Sequence, residues 1–217
     1  MTVELATRLI DVIGALLLFT MLLILAAGQL FRAIYAVGVQ AVLLGAAGAV
    51  LAAATGNVDL WIIAGITVVV KGVLLPWLLL WVVRRIRIEG DIDSVVPVNV
   101  TLALAAGIVV LAFRLNASLG PVRQAITGNA LPVGVALILV GVLVMAARRK
   151  ALVQMVGLFA SENGIFFTAM AVSQGMPLII EIGVILDVVL GALVMGILVL
   201  RVRSSVTDIA TLEDLKG

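Results

Sequence analysis

The stretch LFASENGIFFTAM, residues 158–170, decides the fold. It sits inside an apolar run over about 152–172, long enough to cross the hydrocarbon core of a bilayer, which takes about 20 residues in a helix. At its centre stands Glu162, where a charge is hardest to solvate.

The surrounding chain follows the same pattern. Of its 217 residues, 64% are hydrophobic and 12% charged, against about 25% charged in a soluble domain. The apolar residues fall in seven runs, at roughly 9–28, 34–54, 60–83, 95–113, 130–147, 152–172 and 178–200. The expected fold is therefore all-α, a polytopic transmembrane bundle of about seven spans, built as one integral membrane domain over 1–217. No polar segment is long enough for an inserted soluble core. The opening MTVELATRLID carries Glu4 and Asp11 ahead of the first apolar run, so no cleaved signal peptide is expected.

Lys and Arg give an orientation. Arg32, RRIR (84–87), RRK (148–150) and RVR (201–203) follow the first, third, fifth and seventh runs. The expectation is a multi-pass protein of a prokaryotic cytoplasmic membrane, N-terminus outside and C-terminus inside. The polar tail 204–217 would lie in the cytoplasm. Arg8, Arg114 and Arg123 run against the pattern. Cysteine and histidine are absent, which removes disulfides, thiolate chemistry and the usual zinc or haem ligands.

Three ionisable residues fall deep within the runs. From the outer ends, Lys71 lies at about 16 Å, Glu162 at about 15 Å and Asp187 at about 13 Å, near one level. A charge at a helix centre costs roughly 2.5–3.5 kcal/mol, and such residues mark ion or substrate paths. Two readings follow: proton-transfer groups, or an inert ion pair between Lys71 and one carboxylate. Glu181 lies nearer the outside, as a mouth residue or an interfacial one. Gln154 and Gln40 are candidates for holding water towards the cytoplasm, with Gln40 placed near the start of its helix. Asn163 and Gly164 follow Glu162 directly. Pro76, five residues after Lys71, cannot donate to Gly72 and is expected to kink the third helix. The small-residue faces Gly45/Ala49 and Gly48/Ala52 would allow close helix approach, but for most of these positions the expectation is plain lipid-facing Ala and Gly in an alanine-rich chain.

The segment ENGIFFTAMAVSQGMPLIIEIGVILDVVLGALVMGILVLRV (162–202) resembles hydrogenase-4 component E, a membrane subunit of group 4 nickel–iron hydrogenase and formate hydrogenlyase complexes. The resemblance extends to KGVLLPWLLLWVVRR (71–85), QMVGLFASENG (154–164) and TLEDLKG (211–217). The last three helices are similar to the K-type (4L) membrane component of complex I and to the C-type component of Mrp antiporters. There, two consecutive helices each carry a mid-membrane carboxylate, which the resemblance maps onto Glu162 and Asp187. Asp187 stands where complex I has Glu, and its shorter reach favours a bridging water. The four N-terminal helices have no counterpart in the K-type component, so no role for Lys71 comes from it.

The resemblance implies a subunit without a catalytic site of its own in an oxidoreductase complex, contributing to proton or cation translocation. Its partners would be antiporter-like membrane subunits, an H-type anchor of the complex I kind and peripheral hydrogenase subunits. NiFe and iron–sulfur centres are expected in those partners and no cofactor on this chain. The rival readings are a purely structural bracing subunit and an independent cation/proton transporter.

Overall fold

The computed structural model describes residues 2–86, 95–118 and 129–173. The seventh run at 178–200, with Glu181 and Asp187, and the tail 204–217 lie outside the described residues. The elements are α1 (Val3–Ala26), α2 (Leu30–Thr55), α3 (Val58–Thr67), a π-helical turn (Val68–Leu74), α4 (Leu75–Ile86), α5 (Val98–Ser118), α6 (Ala130–Ala147) and α7 (Ala151–Ser173). The helix α3, the π turn and α4 are continuous, so the described residues form six spans long and apolar enough to cross a membrane. No strand of a sheet occurs among them. The fold is an all-α membrane bundle, as the apolar runs require.

The element ends differ from the apolar runs for identifiable reasons. Helix α1 begins at Val3 rather than near residue 9. Its first turns are polar and exposed, and Arg8 Nη2 meets Glu4 Oε1 one turn away at 2.6 Å. An apolar run gauges the bilayer, whereas a helix can continue past it. Helix α2 begins at Leu30 rather than 34, which sets Gln40 ten residues inside. The turn into α3 has a clear local cause. Gly56 takes the left-handed conformation at φ 72°, and its N–H bonds Ala52 O at 2.9 Å, ending α2. Asn57 then caps α3 by accepting the Asp59 N–H at 3.0 Å.

Helices α2, α6 and α7 are central. Helix α2 packs on α1, on the whole third span and on α7; α6 packs on α5, α7 and α1. The α6–α7 hairpin is the tightest contact. A Cβ on Gly141 would stand 2.7 Å from both Gly157 O and Ser161 N, and one on Gly164 would stand 2.7 Å from Ile138 N. Only glycine lets these backbones come so close. The approach is sealed by Ser161 Oγ, which donates to Ile138 O at 2.9 Å. On α2, Gly45 and Gly48 also face a neighbour, α3, rather than lipid, which corrects the lipid-facing alternative at these two positions.

The outer surface is apolar: Val12, Phe19, Val69, Val110 and Leu111 are each more than half exposed. The polar side chains Gln40, Lys71, Glu162 and Asn163 lie inside. That inversion suits a hydrocarbon solvent.

Candidate functional site

Glu162 stands eleven residues into α7, about 17 Å from its start and near its middle. Lys71 lies within the π turn, opposite it. Lys71 Nζ is 3.4 Å from Glu162 Oε2, and each side chain is only 5% exposed. At that distance and an effective dielectric of about 20, attraction is about 5 kcal/mol. Desolvation costs several kcal/mol for each ion. The two terms are of similar size, so the contact fixes where the two side chains meet more than it adds to stability.

Asn163 is the next residue on α7, turned about 100° from Glu162. It therefore faces α2, where its Nδ2 donates to Gln40 Oε1 at 3.2 Å. Asn163 is 1% exposed and Gln40 fully buried. Gln40 Nε2 in turn donates to Leu17 O at 3.4 Å, a carbonyl that also accepts from Thr20 Oγ1 at 2.8 Å. The result is a polar layer crossing four elements at one depth. Counted from the end of the bundle that holds Ala26, Leu30, Trp81 and Ala151, Leu17 lies at about 14 Å, Gln40 and Lys71 at about 15 Å, and Glu162 at about 17 Å. Among the described residues no donor reaches Asn163 Oδ1.

Of the residues singled out from sequence, the structure brings together Lys71, Glu162 and, through Asn163, Gln40. Gln40 is mid-span rather than near a helix start, because α2 begins earlier than its apolar run. Gln154 stands apart: it is exposed, and its Nε2 donates to Arg148 O at 2.9 Å, closing the α6–α7 turn. Pro76 is buried, and the third span passes it through a π turn. Among the described residues no group of three Asp or Glu side chains could hold a metal ion.

Sequence reading missed Arg148 as a structural residue, taking it only as a topology signal. It is 3% exposed, and its Nη2 donates to Leu25 O in the last turn of α1 at 2.5 Å. Burial pushes its guanidinium below the ordinary range, although arginine stays charged at neutral pH. The partnership of Gln40 with Asn163 was missed as well. The signal for it was two amides in the middle of apolar runs, each needing a partner there.

Six apolar spans around a buried Lys–Glu contact define a polytopic α-helical membrane protein with charge at mid-span. No family model matches the chain, and no solved structure matches it. The uncharacterized protein Rv0085 of Mycobacterium tuberculosis (strain ATCC 25618 / H37Rv) is 32% identical over 157 residues, which cover 71% of each chain. The chain belongs to the family of that protein.

Proposed function

We propose that this chain is a non-catalytic membrane-arm subunit of a complex I-like respiratory hydrogenase complex, resembling hydrogenase-4 component E. In this reading Glu162, with Asp187 outside the described residues, exchanges protons or another cation. Lys71 sets the charge balance beside them. The chain sits in a prokaryotic cytoplasmic membrane with its N-terminus outside. Antiporter-like subunits, an H-type anchor of the complex I kind and peripheral hydrogenase subunits surround it, and those partners hold the NiFe and iron–sulfur centres.

The observation that carries the translocation reading is the Lys71–Glu162 contact at mid-span. A buried carboxylate can be neutralised either by a proton or by the adjacent ammonium. Loading one displaces the need for the other, and that exchange is the elementary step of charge transfer through a membrane. Glu162→Gln tests it. The variant keeps the side chain's shape and one acceptor oxygen for Lys71 Nζ but cannot carry a proton. Assembly of the complex is expected to persist and coupled proton movement to vanish; unchanged pumping would overturn the reading.

The same contact favours a second reading, a bracing subunit in which the pair only ties α7 to the third span. Lys71→Ala and Glu162→Ala, alone and together, separate the two. Bracing predicts strong coupling in assembly yield and little change in transport per assembled complex.

A further inference from the structure

The buried stripe of the third span changes phase at Lys71. Upstream it runs through Leu60, Ala64, Thr67 and Lys71; downstream it runs through Pro76, Leu79, Leu80 and Val83. An α-helix repeats a face every three or four residues. The step from Lys71 to Pro76 is five. The π turn supplies the extra residue, with Leu75 N–H bonded to Val70 O five positions back. One residue is worth about 100° of rotation. Without it, Lys71 and the Leu79–Val83 face could not both point inward.

Two glycines on α2 receive the two ends of this turn. A Cβ on Gly45 would collide with Val68 Cγ2 and would stand 3.1 Å from Ala64 O. A Cβ on Gly38 would stand 2.9 Å from Pro76 Cγ and 3.2 Å from Gly72 O. Val68 opens the π turn and Pro76 follows its close. Seven residues of α2 thus span eight of the third span, and the surplus of one is the residue that the π turn inserts. Pro76, which has no N–H, also removes the α-type bond to Gly72 that a regular register would need.

We propose that Gly38 and Gly45 are positioning residues: notches that lock the π turn and so aim Lys71 at Glu162. Their importance for transport rests on the proposed role of that pair, while the geometry can be tested without it.

The test uses the full chain in its native membrane, treated with dicyclohexylcarbodiimide. This membrane-soluble reagent activates a carboxyl group and lets a touching amine form an amide. Peptide mass spectrometry reads the Lys71–Glu162 amide. The unsubstituted chain is expected to form it, and Gly45→Ala to lose it. Gly45→Ala with Val68→Ala is expected to regain it, because trimming Val68 empties the notch. The remaining 3.1 Å approach to Ala64 O then asks for a shift of a few tenths of an ångström. An amide retained in Gly45→Ala overturns the proposal. So does a double variant that fails to regain it, or an unsubstituted chain that never forms it. Proton movement in the same membranes separates the two proposals: a lost amide with retained translocation would sink the functional reading and leave this one standing.

Discussion

Lys71 Nζ lies 3.4 Å from Glu162 Oε2 across the interface of the third span and α7, at the middle of both. The two residues are ninety-one positions apart in the chain, and each reaches the contact by a different local device. Glu162 comes from a regular helix held against α6 by glycine. Lys71 comes from a π turn that moves one residue out of phase.

The pair's energetics predict an asymmetric mutant cycle. Removing one partner strands a buried charge, so Lys71→Ala or Glu162→Ala should each destabilise the bundle by about 3–5 kcal/mol. Lys71→Met with Glu162→Gln removes both charges at similar volume and should cost far less than the sum. Unfolding in detergent, followed by circular dichroism, measures the cycle. Additive losses would show that the two charges do not interact.

The amide pair should behave in the same manner on a smaller scale. Asn163→Ala leaves the Gln40 Oε1 acceptor buried without its donor, at a cost of about 1–3 kcal/mol. Gln40→Leu with Asn163→Leu replaces both with apolar groups and should recover much of that. The same unfolding assay reads it. An Asn163→Ala variant as stable as the parent would mean that the 3.2 Å contact carries no net energy.

Glycine positions separate by what faces them. Gly141→Ala would place a methyl 2.7 Å from Gly157 O and Ser161 N, backbone atoms that cannot swing aside. Overpacking of this kind costs about 1–3 kcal/mol or more. Gly107→Ala meets nothing within 4 Å on α5. It should be neutral or stabilising by up to about 1 kcal/mol, since alanine is the better helix former. Thermal stability of the two variants side by side checks the contrast.

Much of this architecture was legible in the sequence, and the parts that were not share a cause. Run length locates all six described spans, because bilayer thickness acts on composition directly. The depth of Lys71 and Glu162 followed from counting residues, and their pairing stood as one of two readings. The Gln40–Asn163 bond did not follow. It joins residues 123 positions apart, and the apolar run starts four residues after α2 does, so Gln40 read as shallow. The π turn was hidden as well. Pro76 signalled a break, but the sequence alone did not show that an inserted residue would precede it, packed beside Gly38 and Gly45. Arg148 read as a loop charge because only the fold brings Leu25 O beneath it.

Arg148 should therefore matter for stability and not only for topology. Its guanidinium satisfies a carbonyl in the last turn of α1, a group with no partner in its own helix. Arg148→Ala should cost about 1.5–3 kcal/mol, the range for hydrogen bonds to charged groups. Limited proteolysis of the α1–α2 and α6–α7 turns would register the loosening. A turn as resistant as the parent's would show that the bond is dispensable.

The outer two of the three tryptophans predict the depth of the charged layer. Trp61, Trp77 and Trp81 are 52%, 61% and 53% exposed, all on the third span. Trp prefers the two interfaces of a bilayer. Trp61 and Trp81 are twenty residues apart, about 30 Å of helix, which matches the hydrocarbon thickness. Lys71 is ten residues from each, so anchoring at both ends predicts a Lys71–Glu162 contact at the midplane. Single-tryptophan variants retaining Trp61 or Trp81 should both be quenched strongly by lipids brominated near the headgroup and weakly by lipids brominated at the chain ends. Strong quenching of either from the chain ends would shift the span along the bilayer normal. The contact would then lie near one interface, where a charge is cheap to solvate and needs no partner.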